Sequence, residues 1–420
     1  MRQPEFEAIS AEELELLQLE RLQSTLTRAY RQVKFYRRRF EEAGLTPESI
    51  QSLADLARFP CTTRGDLSEN YPYGLFAVPL KDIVRIISSP GTTDRPLVVG
   101  YSHQDVKLWL ELLSRLYVAA GVTREDIVQL VIPPGLANWR RDLMAGAEYL
   151  GASVIPAATL NFAKEIMVMR DYKTSVLVTT PPLARHLITI MERMGLAPAE
   201  LSLRKAILVA APLPSAVRRQ IEASLQVNIA TAYGITEVMG PGLAYSCPAD
   251  LGFHFSADHF YPEIIDPETG AVLPPGEEGE LVITTLSTVA FPLVRFRSGD
   301  RTHLVATPCP CGRTLMRLGE IRGRVDDLFS VGGIKVHPEQ AGRLLQDLLG
   351  GHPPKFRWQV ATEEGLEFLD LELTVEEDFF SDEIKAMEGL CRKVRRYFQD
   401  HLGVPARLTL KELGKGGIFS

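Results

Sequence analysis

The stretch IVQLVIP, residues 127–133, is a short β-rich run and belongs to the pattern on which the fold depends. Similar runs occur on both sides of it: IVRIIS (83–88), ASVIPAA (152–158), SVLVTT (175–180) and KAILVAA (205–211). Amphipathic helical stretches lie between them, as in HQDVKLWLELLSRLYVAAG (103–121). Strands that alternate with helices favour a parallel sheet covered by helices on both faces. The sequence therefore predicts an α/β fold.

The segments before and after these runs predict two further structural features. Ser10 and Glu13 form a capping box, and apolar residues then recur at helical spacing as far as Gly44. The chain is therefore expected to open with a long helical arm. Residues 260–305 change to strand and turn, as in the sequences PETG and PPGEEGE, which indicates a small antiparallel subdomain.

The last part of the chain is expected to form a second domain. A glycine-rich joint surrounds Asp326, and mixed α and β patterns follow it. Because the chain has 420 residues, more than one domain is the ordinary outcome. We expect a large N-terminal domain over residues 1–325 and a smaller, mobile α+β domain over residues 326–420.

Composition excludes several classes of protein. The net charge is −7, with 45% hydrophobic and 24% charged residues, as in ordinary globular proteins. The one cationic cluster, RQVKFYRRRF (31–40), is offset by Glu41 and Glu42, so no nucleic-acid partner is expected. The acidic N-terminus has no signal-peptide pattern, and no apolar run is long enough to span a membrane. We expect a cytoplasmic protein without a membrane partner.

Several motifs carry a resemblance to a known family. They are FPCTTRGDLSENYPYGLFAVP (59–79), SSPGTTDRP (88–96), AYGITEVMGPGLAYSC (232–247), DHFYPEIIDPETG (258–270), FPLVRFRSGDRT (291–302), CPCGR (309–313) and GRVDDLFSVGGIKVHP (323–338). Together they resemble the phenylacetate–coenzyme A ligase family, a branch of the adenylate-forming enzymes. The resemblance implies that a carboxylic acid reacts with ATP to give an acyl-adenylate, whose acyl group passes to coenzyme A. Attack at the α-phosphate requires neutralised charge and no protein nucleophile.

The resemblance also implies roles for individual residues. Tyr233 would stack on the adenine, and Thr236 would bond the α-phosphate. Glu237 would hold Mg²⁺, Asp300 would accept from both ribose hydroxyls, and Arg324 would lie at the ribose and phosphates. The remaining nucleotide contacts would come from Ser89, Gly91, Thr92, Thr93, Arg95, Ala211, Pro212, Ala232, Gly234 and Ile235.

Two further residues are placed by the same resemblance. Lys415, in ELGKGGIFS, stands where the family has a mobile lysine that bridges the acyl carboxylate and the α-phosphate. The pattern around it matches only in part, so Lys411 is the alternative. Asp326 would be the hinge about which the small domain turns. Lys415, Thr236 and Arg324 are thus the candidate catalytic residues.

The chain departs from the family at the phosphate loop and at the acyl pocket. Pro90 and Asp94 replace residues that would face phosphate, and Ala211 stands where the family has a carboxylate. In PPGLANWRRDL (133–143), Trp139 and Arg140 replace small residues. They either line the pocket or lie in solvent on a shifted loop. The candidate acyl-pocket residues are Ala137, Trp139, Arg140, Ala210, Gly240 and Pro241.

A second constellation consists of Cys247, His254, Cys309 and Cys311. Three thiolates and one imidazole make a tetrahedral set suited to structural zinc, and many relatives resemble this chain there. Four protein ligands leave no open position, so the role would be structural. The alternative is a group of buried free thiols.

These observations predict an ATP-dependent acid–thiol ligase that requires Mg²⁺, contains structural zinc and forms a homodimer. Its acid would be aromatic or otherwise unusual, because the pocket residues differ. Two alternatives stay open. One is an adenylating enzyme with another acceptor, such as a carrier thiol or an amine. The other is a homologue that binds nucleotide without turnover, which Pro90, Asp94 and Ala211 favour.

Overall fold

The computed structural model describes residues 7–89, 95–156, 161–211, 213–349, 355–375, 384–412 and 418–419. The N-terminal arm consists of two helices, α1 (Ala11–Gln32) and α2 (Lys34–Glu42). The predicted capping box is present, since Glu13 N donates to Ser10 Oγ at 3.2 Å. The helical arm expected as far as Gly44 is present, with one break at Val33. Val33 has an extended backbone and a buried side chain, and this break turns the aromatic face of α2 into the core.

The main sheet has nine strands. Five of them are parallel: β3 (Ile127–Val131), β4 (Ser153–Pro156), β5 (Val176–Thr179), β6 (Lys205–Val209) and β7 (Asn228–Ile235). The first four lie in the predicted runs. The helices that accompany these strands are α5 (Ala137–Leu150), α6 (Phe162–Asp171), α7 (Pro181–Arg193) and α8 (Ser215–Leu225). The α/β prediction is therefore confirmed.

Antiparallel strands extend this sheet on the β7 side. They are β8 (Gly240–Ser246), β9 (Phe253–Phe255), β13 (Leu304–Val305) and β14 (Arg317–Leu318). The sheet order is β13-β14-β9-β8-β7-β6-β5-β3-β4. The whole sheet is thus mixed, with its parallel half ending in β7.

The run at 83–88 lies outside the main sheet. It forms β1 (Ile83–Ser89), which pairs antiparallel with β2 (Leu97–Ser102) as a separate two-stranded sheet. The two strands pair antiparallel because the connection between them is short, whereas parallel neighbours require a crossover of a dozen or more residues. Helix α4 (His103–Ala119) follows, capped by Ser102, whose Oγ accepts from Asp105 N at 3.3 Å.

The predicted antiparallel subdomain is also present. It consists of β10 (Phe260–Ile265), β11 (Gly279–Thr285) and β12 (Phe296–Thr302). Helix α3 (Arg64–Glu69) lies beside it, since Thr62 N donates to Arg295 O and Arg297 N to Thr62 O, both at 2.9 Å. This sheet places Asp300 on β12, facing the carboxyl end of β7.

The C-terminal part has its own elements and its own apolar cluster. The elements are β15 (Phe329–Val331), β16 (Ile334–Val336), α9 (Pro338–Leu348), β17 (Lys355–Glu363), β18 (Leu366–Val375), α10 (Ile384–Leu402), β19 (Ala406–Glu412) and β20 (Ile418–Phe419). Its buried residues include Val336, Leu371 and Phe398, which pack separately from the N-terminal core. The division at Asp326 and the mobility of this part stay predictions. None of the helices in the described ranges is long and apolar enough to cross a membrane.

Candidate active site

A cavity of about 660 Å³ opens at the carboxyl ends of β6 and β7. In open α/β sheets this edge is where ligands bind, because the loops that follow the strands can diverge there. The β15–β16 hairpin of the C-terminal part closes the opposite wall, with Ser330, Gly333 and Lys335 among the lining residues. Both parts of the chain therefore contribute to one site.

Tyr233, Asp300 and Arg324 form a connected polar wall of this cavity. The Tyr233 hydroxyl donates to Asp300 Oδ2 at 2.6 Å, and Arg324 Nη1 donates to Asp300 Oδ1. Burial and the Asp300 carboxylate raise the pKa of Tyr233, so its proton stays on the phenol oxygen. Each carboxylate oxygen of Asp300 can accept a further hydrogen bond. The wall can therefore receive hydroxyl groups of a bound ligand.

Arg324 is held by more than one carboxylate. Its Nε lies 2.6 Å from Asp326 Oδ1, and its Nη2 lies 2.8 Å from Asp326 Oδ2. Burial opposes the charged form, but Asp326 and Asp300 raise the pKa of Arg324 above its ordinary value. The expected hinge residue Asp326 thus bonds directly to an expected nucleotide residue.

Glu237 supplies a buried anion next to this wall. Arg64 Nε donates to its Oε1 at 2.8 Å, whereas Oε2 has no hydrogen-bond partner among the described residues. Burial opposes ionisation, but Lys335 and Arg64 lower the pKa of Glu237 to about 2. The carboxylate is therefore charged at neutral pH and offers one free oxygen, which is the kind of ligand that Mg²⁺ prefers.

Arg64 is a site residue whose role the sequence did not indicate. Besides Glu237, it donates to Ser298 O at 2.8 Å and to Asp326 Oδ2 at 3.3 Å. It begins α3 directly after the capping residue Thr63. Arg64 belongs to the motif TTRGD, which was among those that carry the family resemblance. The pairing of Arg64 with Glu237, however, depends on contacts between segments that are distant in sequence.

The structure places most of the candidate nucleotide residues on the cavity wall. These are Arg95, Ala211, Ala232, Tyr233, Gly234, Ile235, Thr236, Asp300 and Arg324. Gly234 must lack a side chain, because a Cβ there would overlap the carbonyl oxygen of Gly240. Ser89 ends β1. Six residues lie outside the described ranges: Pro90, Gly91, Thr92, Thr93, Asp94 and Pro212.

Of the two candidate catalytic lysines, the structure describes the position of Lys411 only. Lys415 lies outside the described residues. Lys411 is in β19, and its Nζ lies 3.2 Å from Glu372 Oε1 on the neighbouring strand. Lys411 therefore already has a partner in this arrangement.

The candidate acyl-pocket residues divide into two groups. Trp139, Ala210 and Gly240 line the cavity, and Trp139 is buried. Arg140, Ala137 and Pro241 are not part of its wall, and Ala137 is exposed at the start of α5. Trp139 therefore lines the cavity and Arg140 does not, because the side chains of successive residues in a helix point in different directions.

Trp109 is a second aromatic residue of this wall, and it was not singled out in the sequence. Its ring is 2% exposed, and its Nε1 donates to Pro241 O at 3.1 Å. Gly240 has a φ of +66°, and a Cβ there would lie 3.1 Å from Trp139 Nε1 and 3.2 Å from Trp109 Cζ2. Trp109 lies on the amphipathic helix α4, where its spacing looks like that of any core residue.

The four candidate zinc ligands come together. Cys247, His254, Cys309 and Cys311 place their ligand atoms within 4.8 Å of one another. Cys247 Sγ lies 3.6 Å from Cys309 Sγ, and Cys311 Sγ lies 3.3 Å from His254 Nε2. Sulfur atoms around a tetrahedral zinc, at Zn–S distances of about 2.3 Å, are separated by a little under 4 Å. The donor set and its spacing therefore fit the metal.

This cluster faces away from the cavity. His254 lies between Phe253 and Phe255 on β9, and side chains alternate along a strand. Phe253 lines the cavity, whereas His254 does not. Burial, helped by Arg313 and Arg317, lowers the pKa of His254 to about 4, so the ring is neutral, as metal ligation requires.

The fold and the cavity together are those of an α/β protein with a ligand cavity at the carboxyl edge of a mixed sheet. Residues 21–290 match the family model of AMP-binding enzymes. The phenylacetate-coenzyme A ligase of Thermus thermophilus is 37% identical over 99% of this chain and 96% of its own length. The Escherichia coli enzyme of the same name is 35% identical over 97% and 93%. The chain belongs to the AMP-binding enzyme family and, within it, to the phenylacetate–coenzyme A ligases.

A solved structure is similar over both parts of the chain. The 2-hydroxyisobutyryl-CoA ligase, in complex with 2-HIB-AMP and CoA in the thioesterification state, matches with a TM-score of 0.89 and 27% identity. The match covers 99% of this chain and 89% of that one. The same ligase in the postadenylation state gives a TM-score of 0.71. The two parts of this chain are therefore arranged as in the thioesterification state.

Proposed function

We propose that this protein joins a carboxylic acid to coenzyme A through an acyl-adenylate. In the first half-reaction the carboxylate oxygen bonds to the α-phosphorus of ATP, and pyrophosphate leaves. In the second, the coenzyme A sulfur bonds to the acyl carbon, and AMP leaves. The observation that carries the proposal is the Tyr233–Asp300–Arg324 wall beside the ionised Glu237, in a chain that matches such ligases over nearly its full length.

The nucleotide roles follow from the chemistry of this wall. Asp300 would accept from the ribose hydroxyls through the free lone pairs of its two oxygens. Arg324 would orient the Asp300 carboxylate and lie near the phosphates, and Thr236 would donate its hydroxyl to the α-phosphate. Glu237 would hold Mg²⁺ through Oε2, which supplies charge neutralisation at the phosphates when the metal is bound.

The path of the thiol is supported by a second cavity, of about 250 Å³, that adjoins the first. The two cavities share wall residues from the 135–136 and 210–211 segments and from the β15–β16 hairpin. Gly135 faces this hairpin so closely that a Cβ there would overlap the Gly332 carbonyl oxygen. A slender, unbranched thiol arm suits such a passage. The β15–β16 hairpin forms part of the wall of this passage, so the passage depends on the docked position of the C-terminal part.

The acid would be small to medium in size and would contain an apolar or aromatic group. Trp139 and Trp109 form an apolar part of the cavity wall beside Gly240, and aromatic rings pack well on such walls. Arg140 is not on the wall, so a second anion on the acid is not required. Phenylacetate and other arylacetates are the first acids to test.

We also propose structural zinc at Cys247, His254, Cys309 and Cys311. The four ligands leave no open coordination position, so the metal would cross-link residues 309–313 to the β8–β9 region. The homodimer and the cytoplasmic location stay predictions.

A panel of carboxylic acids tests the proposal by acid-dependent exchange of pyrophosphate into ATP. Mass spectrometry then detects the coenzyme A thioester. Exchange with at least one acid, followed by thioester formation, is the expected result. No exchange with any acid would favour a nucleotide-binding homologue. Exchange without a thioester, but with an amide or a carrier-bound product, would favour another acceptor.

A further inference from the structure

Lys335 is a buried cation in the cavity that none of the proposed roles uses. It lies in β16, and its ammonium nitrogen is buried without a hydrogen-bond partner in the part of the chain that the structure describes. An ammonium in this state is costly, because it loses hydration and gains no compensating hydrogen bond. The free Oε2 of Glu237 lines the same cavity and is likewise unpartnered.

The position of Lys335 depends on how the C-terminal hairpin docks. The turn between β15 and β16 contains Gly332 and Gly333, with φ of +58° and +87°. A Cβ at Gly333 would overlap Leu136, and Gly332 N donates to Glu367 Oε2 at 2.8 Å. The hairpin therefore fits against the 135–136 segment because Gly333 has no side chain. Any rotation of the C-terminal part that separates these surfaces also removes Lys335 from the cavity.

The hydrogen-bonded group of charges around Glu237 contains one carboxylate more than it has guanidinium groups. Three carboxylates, those of Glu237, Asp300 and Asp326, are bonded to two guanidinium groups, those of Arg64 and Arg324. One positive charge is missing from this group, and the Lys335 ammonium supplies it. Mg²⁺ at Glu237 would supply positive charge at the same place.

We propose that Lys335 replaces Mg²⁺ as the cation at Glu237 while the C-terminal part is docked, and that it serves the thioester-forming half-reaction alone. The inference rests on the proposed function. In this step the bond between sulfur and the acyl carbon forms, and the bond from that carbon to the phosphate oxygen breaks. AMP leaves with the electron pair, and the thiol proton passes to solvent. Lys335 stabilises the phosphate charge of the departing AMP, and it is absent when ATP and the metal react in the first step.

The test separates the two half-reactions in the full-length protein. Lys335→Met removes the charge at similar length, and Lys335→Arg keeps it. We expect Lys335→Met to slow thioester formation from supplied acyl-adenylate by about tenfold or more, with pyrophosphate exchange changed less than about threefold. Lys335→Arg should recover part of the lost rate. Lys355→Met, at an exposed lysine of β17, is the matched control and should change neither rate.

AMP binding gives a readout that does not depend on turnover. By titration calorimetry in EDTA, Lys335→Met should bind AMP about tenfold more weakly than the unmodified protein, and added Mg²⁺ should restore its affinity. Circular dichroism is the folding control for this variant. A purely structural lysine would slow both half-reactions together, in proportion to the loss of folded protein, which would overturn the proposal.

An unchanged thioester rate with unchanged AMP affinity in Lys335→Met would also overturn it. If the unmodified protein shows no exchange with any acid, the ligase function fails. AMP binding with and without Mg²⁺ then decides the role of Lys335 independently.

Discussion

The Tyr233 hydroxyl donates to Asp300 Oδ2 at 2.6 Å and thereby joins two sheets across the active-site cavity. Tyr233 lies on β7 of the main sheet, and Asp300 lies on β12 of the antiparallel sheet. The carboxylate is thus oriented from one side by Tyr233 and from the other by Arg324, which restricts it to one direction before any ligand binds.

The first prediction concerns Asp300. Asp300→Ala should raise the KM for ATP by at least about tenfold, because the variant loses both acceptors for the ribose hydroxyls. Tyr233→Phe keeps the ring and removes only the orienting hydroxyl, so its KM should rise by a smaller factor. Steady-state kinetics with circular dichroism as the folding control provide the measurement. A folded Asp300→Ala variant with unchanged KM would remove Asp300 from the nucleotide site.

The second prediction compares Lys415 with Lys411. Lys415→Ala should lose pyrophosphate exchange yet still convert supplied acyl-adenylate to the thioester, since the mobile lysine acts only at the first transition state. Lys411→Ala should retain both half-reactions, because Lys411 pairs with Glu372 inside the C-terminal sheet. Single-turnover assays of each half-reaction separate the two. The opposite pattern would transfer the adenylation role to Lys411.

The third prediction concerns the zinc cluster. Protein prepared without chelators should contain about one zinc per chain by atomic emission, because the four ligands match a closed tetrahedral site. Cys309→Ser should lower the melting temperature by several degrees and leave ATP affinity nearly unchanged, since the cluster faces away from the cavity. Cys61→Ser, at a cysteine outside the cluster, is the control and should keep the metal. A zinc-free protein with an unaltered melting temperature would support free thiols instead.

The fourth prediction concerns the pH dependence of stability, through His259. Burial, helped by Arg115 and Arg21, lowers the pKa of His259 to about 4 from an ordinary 6.5, although Asp258 opposes this shift. Its ring contacts Ser287 Oγ at 2.8 Å and Arg21 Nη1 at 3.1 Å. As the pH falls below 6.5, the unfolded chain takes up a proton that the folded protein does not. The stability present above pH 6.5 is therefore lost progressively down to about pH 4.

Urea unfolding at pH 7.5 and pH 4.5 measures this loss. His259→Gln should reduce the difference between the two free energies of unfolding by up to about 3 kcal/mol. His401→Gln, at an exposed histidine near the end of α10, should leave the difference unchanged. An equal effect of both substitutions would show that His259 does not titrate as described.

Local patterns determined much of this protein. Short apolar runs predicted the parallel strands β3 to β6, because burial on both faces of a sheet requires such runs. Ser10 and Glu13 predicted the first helix, since a capping box is made within one turn. The motifs around Tyr233, Glu237, Asp300 and Arg324 predicted residues that do meet in one cavity. In each case the residues that determine the feature are close in sequence, or they belong to motifs that occur in the same order in the family.

Only the tertiary structure decided which distant polar and aromatic groups meet. Arg64 pairs with Glu237 across 173 positions of sequence, and no local pattern carries that pairing. Trp109 looks like an ordinary core residue of α4, yet it forms part of the pocket wall. Lys335 Nζ is buried in the arrangement in which the β15–β16 hairpin lies against the 135–136 segment, and no local pattern indicates this burial. The physical reason is that desolvation and charge balance arise from the whole enclosing surface, which forms only when segments far apart in sequence come together.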